Sequence, residues 1–312
     1  MDIRKTEHIL LVSFCTLIAL PILYIYRSAD NNTFTSWRWA FSQTGILQVF
    51  FFLLPALLCA YALSRPRFSG RKAYTFLFML SFASIIPLWQ EPEAIIDASR
   101  YFIQAASLKE YGIRYFLAQW GNKVHAWTDM PLVPFLYGLV FSAFGDSRIF
   151  IQVFNTTLFA LTGVITFLVG RRLWDEETGL HAGLLLLGMP YLLTQVPLML
   201  VDLPTMFFLT LSIYAFLHAV EKGGLRWTVA ASVALCMAIF AKYSTWLMLF
   251  VIPIISFVSG TGQPKKTFSR TCSVLLIAGL LAGGVIFVRY DLFRDQIMIL
   301  RTYQWSGLSR WQ

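Results

Sequence analysis

Asp97, Arg100, Tyr101 and Gln104 recur at i, i+3, i+4 and i+7 within the stretch IIDASRYFIQAA. That spacing puts all four on one face of a single helix. A carboxylate there can accept a proton, and a guanidinium can neutralise a phosphate. The Asp97 and Arg100 pair also reads as local helix support. A second acid, Asp202, is the only charged residue of VPLMLVDLPTMFFL and precedes Pro204. It reads as a helix cap, or as an ionisable group held at the edge of hydrocarbon for a functional reason. Lys242, in FAKYSTW, lies between two apolar runs. It offers a second cation for a phosphate, and snorkelling to an interface also accounts for it. His125 and Asp129, in NKVHAWTDMPL, complete the set. His125 reads either as a surface-loop histidine or as a contact to substrate or metal.

These groups need a scaffold, and the composition says which kind. Of 312 residues 57% are hydrophobic and 13% charged, with mean hydropathy +0.65. Such a chain is an all-α polytopic membrane protein. Apolar runs near the roughly 20 residues needed to cross fall at His8–Tyr26, Ile46–Leu63, Ala73–Trp89, Ile149–Gly170, Gly179–Leu200, Pro204–Val220, Trp227–Ala241, Thr245–Ser259 and Cys272–Tyr290. Nine spans are therefore expected. The first lacks a small-x-small cleavage site and reads as an uncleaved anchor. Cys15, Cys59, Cys236 and Cys272 lie in or beside these runs without CxxC spacing, so they read as packing residues. The net charge of +9 falls in the connecting loops. It fits membrane orientation better than nucleic-acid binding, for which no basic module is present. No GxGxxG or Walker-type GxxxxGK[ST] motif supplies a nucleotide site.

Topology turns on PLVPFLYGLVFSAFG, residues 131–145, which is short and carries two prolines near its start. Read as a half-length helix, it leaves Arg65, Arg67, Arg71, Lys72, Arg171, Arg172, Lys222, Arg226, Lys265, Lys266 and Arg270 on one side. That side is the cytoplasm, with the N-terminus and its Arg4 and Lys5. Residues 90–148 then form a long extracytoplasmic loop, residues 195–203 a short one, and the acidic run at 175–177 solvated cytoplasmic charge. The expected organisation is two extra N-terminal spans over 1–72, a membrane module over 73–290 and an amphipathic interfacial helix over 291–312.

The order of DASRY, WTDMPL, FGDSR, VGRRLWDEETGLHAGLLLLGMPYLL, MLVDLPTMFFLTLSIYAFL and AIFAKYSTWLMLF resembles the GT-C glycosyltransferases of the ArnT (aminoarabinose transferase) and protein O-mannosyltransferase type, over about residues 74–260. The resemblance implies a GT-C helical bundle that moves a sugar from a polyprenyl-phosphate donor to a lipid, glycan or protein acceptor at the outer membrane face, with inversion at the anomeric carbon. Membrane lipids are its other partners. The first acid of that family's loop pair falls on Asp97, while its second falls on Ala98. Arg100 and Tyr101 match the Arg-Tyr that follows the pair. The aspartate of the second loop falls on Asp202. The family's basic residue before Pro-Pro-Leu falls on Asp129. The departures at Ala98 and Asp129 leave open the acceptor type and whether a divalent metal serves as cofactor. Asp97 would then be the base and Arg100 and Lys242 the groups that steady the phosphate, with Tyr101, Gln104, His125 and Asp129 as substrate contacts. Two alternatives stay open. One is a flippase for a lipid-linked sugar, in which Asp97, Asp202 and Lys242 line a path. The other is a truncated, inactive relative, since the resembled family usually continues with further helices.

Overall fold

The computed structural model describes residues 70–90, 93, 95–259 and 264–308, together with the single positions Ile18, Ile22, Ile25, Leu47, Leu54 and Leu58. Apart from those positions, the expected spans His8–Tyr26 and Ile46–Leu63, with Arg4, Lys5, Cys15, Cys59, Arg65 and Arg67, lie outside the described residues. The chain divides into Met1–Arg67 and Phe68–Gln312. In the first unit the described positions are helical and exposed. Every helix with described bounds belongs to the second.

Helix α1, Arg71–Ile85, tightens into a 3-10 turn over Ile86–Gln90, where Pro87 has no N–H to continue the α ladder. Helix α2, Ile96–Gln119, carries the four polar residues and breaks at Gly112 (φ 82°, ψ 169°). Only glycine adopts that conformation at no cost, so Gly112 is the position at which α2 can corner. Helix α3, Leu132–Phe144, has 13 residues, too few to cross as a helix. It packs closely on α2, where a Cβ on Gly138 would stand 2.7 Å from Leu108 Cβ.

Helix α4, Arg148–Leu173, leads to α5, Glu176–Leu185, and α6, Pro190–Gln195. The expected span Gly179–Leu200 is thus not one helix. Gly188 ends a 3-10 turn and Pro190 opens the next short helix, so the hydrophobic run continues while its backbone ladder does not. The acidic run that opens α5 is also more than solvated charge. Asp175 caps the helix by accepting the Thr178 N–H at 2.7 Å, and Glu176 accepts the Gly70 N–H at 2.8 Å.

Helices α7, Asp202–Lys222, and α8, Leu225–Ala241, form an antiparallel hairpin. The remainder is α9, Thr245–Met248; α10, Val251–Ser259; α11, Pro264–Val288; and α12, Tyr290–Leu308. Four described helices are long and apolar enough to cross a membrane: α1 with its 3-10 turn, α4, α7 and α11. The expectation of nine is therefore not met among the described residues. Helix α8 and the α9–α10 segment are apolar but shorter, because the chain breaks at Lys242 and near Leu249. Cys236 is half-buried and Cys272 exposed, and both are free thiols.

Candidate active site

The inner face of α2 buries Ala98, Tyr101, Gln104, Ala105 and Leu108. A turn closed by the Asp129 N–H bonding to the Ala126 carbonyl (2.7 Å) brings Asp129 beneath that face. Its carboxylate is 7% exposed. The Arg100 guanidinium lies against both of its oxygens, with Nη2 3.0 Å from Oδ1 and Nε 2.8 Å from Oδ2. The Nη2 contact is a hydrogen bond, whereas the Nε–H is not aimed at its oxygen. Gln104 Nε2 donates to Asp129 Oδ2 at 3.0 Å and to the His125 carbonyl at 2.9 Å. The Tyr101 hydroxyl is 3.4 Å from Oδ1. Gln296 Nε2 on α12 donates to the Asp129 carbonyl at 3.1 Å, and the Gln296 Oε1 accepts from the Tyr243 hydroxyl at 2.6 Å.

Burial raises the Asp129 pKa above the ordinary carboxylate value, against the pull of Arg100, Gln104 and Tyr101. The Tyr101 phenol is pushed up, by burial first and then by the Asp129 charge. Burial works against the Arg100 cation, yet Tyr101, Asp129 and Asp97 together hold its pKa above the ordinary value. Asp97 differs from Asp129 in access. It stands 3.2 Å from Arg100 Nη2 with its side chain 55% exposed. Arg100 therefore bridges a sealed carboxylate and an open one.

Asp202 and Lys242 form a second pair. Lys242 Nζ lies 2.6 Å from Asp202 Oδ1, with side chains 38% and 59% exposed. Asp202 is in the first turn of α7, where the helix dipole favours an anion, and Lys242 follows the end of α8. Both pairs border one apolar cluster, which includes Ala98 and Tyr101 of α2, Tyr137 of α3, Leu198 to Val201 and Ala241. Polar bonds fix the 198–201 segment. The Tyr137 hydroxyl donates to the Leu200 carbonyl at 2.6 Å, Asn155 Nδ2 donates to the Leu198 carbonyl at 2.7 Å, and the Met199 N–H donates to Glu93. Glu93 also stands 3.3 Å from Arg148 of α4.

Five of the expected residues, Asp97, Arg100, Tyr101, Gln104 and Asp129, thus gather in one network. Asp202 and Lys242 pair beside it. His125 joins the network through its carbonyl rather than its ring. Sequence reasoning missed Glu93, Tyr137, Asn155 and Gln296. Tyr137 and Asn155 carry the signal of polar groups inside apolar runs; Glu93 and Gln296 carry no local one. For a divalent metal the donor set does not fit. Among the described residues no three His, Cys, Asp or Glu side chains are placed to share an ion, and Asp97 and Asp129 are both engaged by Arg100.

No curated protein matches the sequence. A family model described as dolichyl-phosphate-mannose-protein mannosyltransferase matches residues 125–292, more than half of the chain. The matched region includes His125, Asp129, Asp202 and Lys242 and begins after the α2 residues. With an all-helical fold, helices able to cross a membrane and a match of this length, the chain belongs to the dolichyl-phosphate-mannose-protein mannosyltransferase family and is a membrane glycosyltransferase.

Proposed function

We propose that the chain transfers a sugar from a polyprenyl-phosphate donor to an acceptor hydroxyl on the extracytoplasmic face, with Asp97 as base. The observation that carries this reading is the contrast in access between the two carboxylates on Arg100. Asp97 is open to an incoming hydroxyl, whereas Asp129 is sealed and saturated with donors. In the reaction the acceptor oxygen attacks the anomeric carbon, its proton passes to Asp97, and the bond to phosphate breaks with the electron pair leaving on the polyprenyl phosphate. Arg100 and Lys242 offset the charge that develops there. Asp129, Tyr101 and Gln104 orient Arg100, and Asp202 holds Lys242 until a phosphate replaces it. Inversion follows from direct displacement with a single base. The basic loops at 171–172, 222–226 and 265–270 support a cytoplasmic position for the opposite ends of the helices. Residues 73–290 form the catalytic module in this reading.

The test is transfer from a panel of radiolabelled polyprenyl-phosphate sugars by the full chain in lipid nanodiscs. Asp97→Asn is expected to lower transfer by about 10²–10⁴-fold, the usual worth of a general base, while donor binding persists. Transfer by Asp97→Asn at the wild-type rate would overturn the assignment.

A further inference from the structure

A cleft of about 520 Å³ opens between the 121–127 loop and α12, and Gln296 in its wall bonds the Asp129 carbonyl. Asn122, His125 and Trp127 line it from the loop, and Tyr290, Asp291 and Asp295 from the helix. Trp127 is its distinctive member. Among the described residues it alone is a non-glycine with positive φ, at 49°. A bulky residue adopts that region only under strain. Strain of this kind persists only where neighbours impose it. Here the Asp129-to-Ala126 bond closes the turn on one side, and Gln104 grips the His125 carbonyl on the other. The effect is to leave Trp127 62% exposed where it lines the cleft.

The opposite wall complements it. Tyr290 is 59% exposed, and Asp291 and Asp295 lie one turn apart on α12, with Arg294 3.6 Å and 3.2 Å from their carboxylates. Exposed aromatic faces beside carboxylate, amide and imidazole groups of nearly balanced charge match a ring with apolar C–H faces and a rim of hydroxyls. Val288, Leu292 and Ile299 add apolar wall for the C–H faces of such a ring, while an acyl or prenyl chain would bury Asn122, Asp291, Asp295 and Gln296 without partners. Arg289 is the cation among the lining residues, so a nucleic acid would meet no net positive charge. The cleft also communicates with the charged network, because Gln296 lines it and bonds the Asp129 carbonyl.

We propose that this cleft is the acceptor subsite and that it takes a saccharide, one pyranose ring stacking on Trp127. The proposal rests on the transferase reading of Asp97. Its test is direct binding of manno-, malto- and cello-trisaccharides to the full chain in nanodiscs by titration calorimetry. Wild type should bind at least one, Trp127→Ala should weaken that binding about tenfold, the worth of one lost ring stack, and Trp127→Phe should retain it. Both variants keep a Cβ, so the backbone strain is the same in each. Asp97→Asn should bind the trisaccharide normally while failing to transfer. Absence of binding for all three sugars, or equal binding by wild type and Trp127→Ala, overturns the subsite. Transfer to a serine- or threonine-bearing peptide that is lost in Asp97→Asn yet unchanged in Trp127→Ala also overturns it, and leaves the transferase reading standing. Tryptophan-dependent trisaccharide binding in a chain that transfers no sugar supports the cleft as a saccharide site and removes the activity instead.

Discussion

Asp129 and Asp202 each meet a cation from another part of the chain, yet one pair is sealed and braced and the other stands in the open. Asp129 is held by Arg100 and Gln104, with Tyr101 alongside, under a helix that buries it. Asp202 has a single described partner, Lys242, and both side chains are more than a third exposed. Physically the two perform different tasks. A buried, multiply bonded carboxylate is costly to disturb, and so fixes the direction of Arg100. An exposed pair is worth about 0–1 kcal/mol, so Lys242 can leave Asp202 at little cost, as its proposed role requires. The comparison separates a cation held in place from one loosely held.

The sharpest way to break this distinction is Asp129→Ala. It strips Arg100, Gln104 and Tyr101 of a shared acceptor and should destabilise the fold by about 3 kcal/mol, read as a large drop in melting temperature in nanodiscs. Asp202→Ala in the same assay should cost about 1 kcal/mol or less. Equal losses would erase the difference between the pairs. Lys242→Ala should invert the pattern, lowering sugar transfer about 10²-fold through lost phosphate stabilisation with little change in melting temperature. Gln104→Leu removes one donor to Asp129 and one to the His125 carbonyl; a loss of about 1–2 kcal/mol is expected, between the two pairs.

The smallest effect concerns pH. Because the folded-state pKa of Asp129 lies above its ordinary value, the folded protein binds this proton before the unfolded chain does. Stability contributed by this group therefore grows as pH falls from the raised value towards the ordinary one, 3.8, and is lost as pH rises back through the raised value. Asp129→Asn should flatten that component of the melting-temperature profile. A profile parallel to wild type would contradict the raised pKa.

Local chemistry made part of this molecule legible. Hydropathy gave the membrane class because each residue contributes to transfer independently of its neighbours. The 3.6-residue period placed Asp97, Arg100, Tyr101 and Gln104 on one face, because it is a property of a few consecutive residues. The short helix at Leu132–Phe144 was readable from its length and prolines. The break within Gly179–Leu200 was less so, since hydropathy registers side chains and not the backbone ladder that Gly188 and Pro190 interrupt. What the tertiary structure alone decided were the partnerships across the chain: Arg100 with Asp129, Lys242 with Asp202, Glu93 with Met199 and Gln296 with Asp129. Every one joins residues far apart in sequence, where neither spacing nor composition ranks one carboxylate above another. Burial and packing make that choice, sealing Asp129 while leaving Asp97 open to solvent.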